Sequence, residues 1–219
     1  MPLITPFQRG YLARWGPLRS AYAFAMDKLR DYLGFSLCVV VSRPAAGNTL
    51  PAIEKNYPAR EYRLLDEHEL LKHSADPTLE LDADFIRERL VVGDTCSGAL
   101  EGGVLLGYVW RAFSPVSVKD SLWVDAGSAG RYVYKAFTRP EYRGQNIVNS
   151  ISVATESIYK GRTHNIAFIE SHNYPSIRSA MKMGNKVIGY AGHWKIGSRY
   201  YCFRSPRARR LGFQFLSKV

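Results

Sequence analysis

The sequence predicts an α+β chain in which a mixed sheet carries helices on both faces. Two observations predict it. Apolar residues alternate in some short runs and recur every three or four positions in others, and Gly and Pro punctuate the joins. Taken in order, the runs read strand, two helices, three strands, helix, strand, helix, two strands. The composition fits this: 219 residues, 46% hydrophobic and 13% aromatic, are enough for one good core with an appended segment.

Residues 1–60 read as an N-terminal extension. Pro17 and Ser20 open a helix running to about Tyr32, and Gly34 ends it. Tyr22, Phe24, Met26, Leu29 and Tyr32 are apolar or aromatic, with Arg14, Arg19, Lys28 and Arg30 nearby. Such a basic amphipathic helix fits two surfaces: an anionic bilayer, or the rest of the domain. Leu37–Ser42 is a β-branched strand, and the Pro-rich stretch 43–60 reads as a linker.

The main domain is expected over residues 61–204. Tyr62–Leu65 is its first strand. Glu67–His73 and Asp84–Leu90 are helical, with Asp82 or Asp84 as a cap. Thr95–Leu100 and Val104–Phe113 form a hairpin, and a long connection over 114–130 holds a short strand at Leu122–Val124. Strand 131–138 follows. A helix then places Ile147, Ile151, Ala154 and Ile158 on one face, with Gly161 to end it. Asn165–Glu170 is a strand, Asn173 caps a helix that ends near Gly184, and Val187–Trp194 with Arg199–Phe203 makes a last hairpin. Residues 205–219 read as a basic aromatic tail.

The net charge of +11 is unevenly spread. Residues 61–100 hold ten Asp/Glu against four Lys/Arg, whereas residues 171–219 hold ten Lys/Arg and no acid. The basic end suits an anionic ligand or surface, and the acidic helical block is expected to face away from it. No nucleic-acid recognition motif stands behind the charge, so nucleic acid is not the expected partner. The three cysteines are widely spaced, without a CxxC or Cys/His cluster, so no metal and no disulfide framework is expected. Each lies in a strand-like run and reads as a buried thiol. There is no apolar run long enough to span a bilayer and no signal peptide, which leads to an expected cytoplasmic setting.

The chemistry centres on the stretch around Arg143. An alternating strand meets Pro140, then Arg143-Gly144-Gln145-Asn146, and a helix opens at Ile147. The first amides of a helix lack intrahelical acceptors and sit at its positive end, so this is the recipe for an anion site.

RPEYRGQNIV at 139–148, followed by ESHNYPSIRSAMKMGN at 170–185, resembles two motifs of the GNAT superfamily of N-acetyltransferases, in the family's order. The resemblance covers roughly residues 61–204. It implies a central, mostly antiparallel, splayed sheet and direct acyl transfer from acetyl-CoA or another acyl-CoA to the amine of a small molecule or peptide. On this reading Arg143, Gly144, Gln145, Asn146, Ile147 and Val148 hold the pyrophosphate. Main-chain amides at Phe137, Thr138 and Arg139 bond the pantetheine and polarise the thioester, and Asn173 and Ser176 contact the pantetheine arm. The sequence departs from the motifs at four positions: Asn146 and Val148 replace small residues, Ala180 stands where many members have an acidic Tyr, and Asn185 replaces Phe.

Glu170, at a strand end, is the expected general base, or else a salt-bridge partner. His172 is a second candidate, and Tyr134 a candidate acid for the leaving thiolate; Tyr190, His193 and Asp125 are further polar candidates. Two alternatives remain beside the acetyltransferase: a long-chain acyltransferase taking acyl carrier protein or acyl-CoA at a membrane contacted by residues 1–36 and 205–219, and a non-catalytic CoA- or ligand-binding protein on the same scaffold. A homodimer is compatible with either.

Overall fold

The structure, a computed structural model, describes residues 6–45, 57, 59–119, 121–159 and 161–218. The helices are α1 (Pro6–Trp15), α2 (Pro17–Leu33), α3 (Glu67–Ser74), α4 (Ala83–Val91), α5 (Ile147–Ala154), α6 (Tyr174–Lys182) and α7 (Pro206–Arg210). The strands are β1 (Ser36–Pro44), β2 (Arg60–Leu65), β3 (Thr95–Glu101), β4 (Val104–Ala112), β5 (Val116–Lys119), β6 (Leu122–Asp125), β7 (Gly130–Thr138), β8 (His164–Glu170), β9 (Lys186–Ile196), β10 (Arg199–Arg204) and β11 (Gln214–Ser217).

Two compact units divide the chain. Unit one is Met1–Val41, Ser117–Val124 and Phe168–Val219; unit two is Ser42–Val116 and Asp125–Ala167. This differs from the division expected near residue 60 and at 205, because the N-terminal helices and the C-terminal segment belong to one unit.

In unit two the strand order is β8-β7-β4-β3-β2. The β2/β3, β3/β4 and β4/β7 pairs are antiparallel, and β7 pairs parallel with β8. Helices cover both faces. Leu70, Leu79 and Ile86 from the α3–α4 side pack with Leu105, Tyr108, Trp110 and Phe137. Ile147 and Ile151 of α5 pack with Ala99, Leu106 and Val109 on the other face. Local chemistry sets the helix starts: Asp66 and Glu69 make a reciprocal capping box at α3, and Asp82 accepts from the Phe85 amide at α4.

In unit one the order is β10-β9-β1-β8, with a three-stranded sheet β11-β6-β5. α2 starts at Pro17 and ends at Gly34, whose amide donates to Arg30. Gly34 has φ +58°, and a Cβ there would lie 2.7 Å from that of Lys195, so both backbone and packing demand glycine. Ala23 and Met26 turn the inner face of α2 into the core, while Leu18, Phe24, Tyr32 and Leu33 stay exposed.

Four expectations need correction. The expected tail is structured: Ser205 and Pro206 begin α7, and Ala208, Phe213 and Phe215 are buried. The helix at 147 stops after Ala154, leaving Ile158 exposed, because Thr155 turns the chain and the Glu156 carboxylate is drawn to Arg131. Cys38 and Cys96 are buried as expected, but Cys202 is exposed. The acidic block, expected to face away from the anion site, reaches the motif at one point, where Asp76 pairs with Arg139 at 2.5 Å.

Candidate functional site

In unit two, strand β7 delivers the Arg143 loop. Its parallel ladder to β8 covers Gly130–Tyr132. On the β4 side Tyr134 faces Trp110 and Phe137 faces Tyr108, so Lys135 and Ala136 oppose Val109 alone. This is a bulge, and Lys135 carries it at φ 45°. A bulge bends its strand and re-aims the residues that follow. A short 3-10 turn over Pro140–Tyr142 leads to Gly144 at φ 86° and Asn146 at φ 63°.

Asn146 is the N-cap of α5, yet its side chain makes no capping bond. The first-turn amides of α5 therefore have no side-chain acceptor from the cap, which leaves the helix start suited to an anion. Both motif departures are accommodated. Asn146 takes the left-handed conformation that asparagine tolerates better than other non-glycine residues. Val148 packs against the cluster of Ala99, Leu106, Val109, Ile147 and Ile151. Gln145 is tied down, its Oε1 accepting from Arg60 Nη2 at 2.5 Å, while Arg60 Nε donates to Glu101. Arg143 and Gly144 are exposed.

The strand end differs from expectation. The Arg139 amide donates to Leu106 O at 2.9 Å, so that main-chain donor is already used. The Arg139 side chain donates to Leu105 O, Thr78 Oγ1 and Asp76 Oδ2. Bonds from Thr78 and from Arg139 hold the Asp76 carboxyl down at about 2. Phe137 is buried and stacks on Tyr108 at 5.3 Å. Thr138 O accepts from Arg143 Nε at 3.4 Å.

Tyr134 donates its hydroxyl to Asp94 Oδ2 at 2.6 Å. Arg89 grips the same carboxylate through Nε and Nη2 at 2.9 and 2.7 Å. Burial, with the neighbouring Asp94, pushes the phenol well above its ordinary range. As placed, Tyr134 is a donor inside a buried polar network.

In unit one, β8 ends at Glu170 and the turn 171–173 leads into α6. Asn173 caps that helix, its Oδ1 accepting from the Ser176 amide at 3.2 Å. Glu170 pairs with Arg30 Nη1 at 3.2 Å. His172 Nε2 lies 3.2 Å from Asp27 Oδ1 and 3.4 Å from Glu170 Oε2, with its side chain 11% exposed. Tyr22 OH and Ser171 Oγ share a 2.7 Å hydrogen bond. Two carboxylates thus flank one imidazole, and Arg30 also binds Asp27 at 2.9 Å. The sequence marked Glu170 and His172 but missed Tyr22, Asp27 and Arg30, which lie about 140 positions away. Asp27 and Arg30, three residues apart on α2, share a helical face, and that spacing was the available signal.

The other polar candidates have structural partners. Asp125 Oδ1 accepts from the Gly127 amide and caps its loop. His193 lies edge-on to Tyr200 and Phe215, and burial lowers its pKa. Ala180 is buried, and its carbonyl accepts from Asn185 Nδ2. Among the described residues no group of His, Cys, Asp and Glu is gathered to hold a metal, and no helix is long and apolar enough to cross a membrane.

No family model matches the chain, and no curated protein matches it by sequence. Solved structures do. A functionally unknown conserved protein from Staphylococcus epidermidis aligns at TM-score 0.50 and 8% identity, over 90% of this chain and 68% of its own. A chain from Novosphingobium aromaticivorans assigned to the GNAT acetyltransferases aligns at TM-score 0.48 and 14% identity, over 84% of this chain and 66% of its own. A Salmonella typhimurium chain assigned as an acetyltransferase and solved with acetyl-CoA aligns at TM-score 0.45 and 16% identity, over 73% of this chain and 94% of its own.

Proposed function

We propose that the chain transfers an acyl group, most simply acetyl, from acyl-CoA to the amine of a small molecule or peptide. The observation that carries this reading is the loop at 143–148, where a bulged strand feeds a helix start whose N-cap side chain makes no bond. That arrangement suits a pyrophosphate, and the order of the two motifs narrows the pyrophosphate to that of coenzyme A. The amine nitrogen attacks the thioester carbonyl, the C–N bond forms and the C–S bond breaks. The proton released by the attacking nitrogen passes to Glu170, with His172 and Asp27 beside it, and the thiolate of coenzyme A leaves and takes a proton from solvent. Asn173 contributes by fixing the start of α6.

The test has two stages. Acetyl-CoA should raise the melting temperature of the wild-type chain, and that of Asn146→Val by less at the same concentration. Thiol release should then be followed with a panel of primary amines. Glu170→Gln should keep the donor-induced shift and lose turnover. Failure of every acyl-CoA to bind would end this reading.

A second reading concerns α2. Leu18 is 86% exposed and Tyr32 75%, and Lys28 lies over the rings of Phe24 and Tyr32. This basic apolar face supports contact with an anionic bilayer. Co-sedimentation with phosphatidylserine vesicles, reduced in a Leu18→Ser/Phe24→Ser variant, is the expected result. Equal sedimentation of both proteins would remove the reading. In residues 205–218 Phe213 and Phe215 are buried, while Arg207, Arg209 and Arg210 are exposed.

A further inference from the structure

Three buried arginines of unit two lie near one another. Arg111 of β4 and Arg131 of β7 are both fully buried, and Arg43 of β1 is 5% exposed. Each lies close enough to influence another: burial and the Arg111 charge both lower the pKa of Arg43 and of Arg131. Among the described residues, Glu156 is a carboxylate that meets two of them. It pairs with Arg131, lies 3.4 Å from Arg43 Nη2, and also accepts from Asn165 Nδ2 at 2.9 Å. Its Oε2 serves Arg43 and Asn165, and its Oε1 faces Arg131 Nη2.

Arg111 is served on one side only. Its Nη1 donates to Ser97 Oγ at 2.9 Å and to Tyr159 OH at 3.1 Å, and those two oxygens are themselves 2.7 Å apart. The Tyr159 ring faces both guanidinium groups, 4.6 Å from Arg111 Cζ and 4.9 Å from Arg131 Cζ. Nε and Nη2 of Arg111 have no hydrogen-bond partner among the described residues. These two nitrogens form the edge of the guanidinium that grips oxyanions through paired parallel bonds. A buried charge with unmade hydrogen bonds is among the costliest features a core can hold.

We propose that the Nε–Nη2 edge of Arg111 binds a small inorganic anion, chloride or an oxyanion no larger than phosphate, as a structural ion of unit two. Complete burial of Arg111, Arg131 and Ser97 sets the size limit, since a nucleotide or peptide has no such access. The site is separate from the loop at 143–148. Arg111 faces Val133 near the start of β7, and the loop follows the end of that strand. The ion supplies the Nε–Nη2 edge of Arg111 with the partner it lacks among the described residues.

Two measurements on the full chain test this. In crystals grown in sodium bromide, an anomalous peak is expected within about 3.5 Å of Arg111 Nε and Nη2. In solution, chloride titrated against gluconate at fixed ionic strength should raise the melting temperature saturably, by roughly 5 °C at about one hundred times Kd. The shift should vanish in Arg111→Met and persist in Asn146→Val, which disables only the loop. If Arg111→Met does not fold, Arg111→Lys, which keeps the charge and loses the fork, should weaken the response at least about tenfold in chloride concentration. Water in place of bromide, a peak without a melting shift, or an equal shift in the Arg111 variants would each overturn the proposal.

Discussion

His172 and Glu170 are separated by one residue at the end of β8, and Nε2 of the histidine lies 3.4 Å from Oε2 of the glutamate. Asp27 Oδ1 lies 3.2 Å from the same nitrogen. A proton accepted at Glu170 therefore has a neighbouring base within hydrogen-bond reach, and Arg30 keeps the carboxylates neutralised. On the proposed reaction, Glu170→Gln is expected to lower kcat/KM about 10²–10⁴-fold with acyl-CoA affinity unchanged. His172→Gln should fall less far, because Glu170 remains. Steady-state kinetics beside donor titrations would check both, and unchanged kcat in Glu170→Gln would move the base elsewhere.

Much of the fold was legible because it is written locally. The caps at Asp82, Asn173 and Gly34 announce their helices within three or four residues, and the structure has each of them. What the sequence hid depends on distant partners. Phe213 and Phe215 look like tail aromatics until β11 joins the sheet of β6, with the Lys218 amide bonded to Ser121 O. The early end of α5 follows from Glu156 meeting Arg131, a pairing that no helical periodicity contains. The site divides in the same way. The Gly144–Asn146 turn is read from adjacent residues, whereas Asp27 and Arg30 come to Glu170 only through the tertiary fold.

The loop at Asn146 offers a conformational test of donor binding. Its φ of 63° suits Gly or Asn and opposes a β-branched residue. Asn146→Gly is expected to fold normally and bind acyl-CoA at least as well as wild type. Asn146→Val should cost about 1–2 kcal/mol of stability and weaken donor binding about tenfold or more. Calorimetric titration with acetyl-CoA and urea unfolding separate the two effects. Equal affinity in all three proteins would detach the loop from the donor.

Tyr134 has two readings that kinetics and stability tell apart. Its hydroxyl bonds Asp94, which Arg89 also holds. If this network is its whole role, Tyr134→Phe should destabilise the chain by about 1–3 kcal/mol and leave kcat within a few-fold of wild type. A proton donor to the leaving thiolate would instead show a kcat loss of about 10²-fold or more with a smaller stability change. The buried bond to a carboxylate, which raises the phenol pKa, favours the first outcome.

His193 gives the protein a pH-dependent weakness. The imidazole is packed edge-on between Tyr200 and Phe215, and burial lowers its pKa from the ordinary value, with Lys119 adding to the shift and Gly34 and Glu170 opposing it. In the unfolded chain a histidine titrates near about 6.5. Above that pH both states are neutral and His193 contributes no slope. As pH falls below it, the unfolded chain takes up a proton that the folded chain resists, so stability declines until the lower folded pKa is reached. Burial also lowers the pKa of His73, so part of the slope belongs there. His193→Phe should therefore flatten, without abolishing, the fall in urea midpoint between pH 7 and pH 5. An unchanged fall would place the titrating group elsewhere, and a steeper one would mean that His193 gains its proton more readily in the folded state.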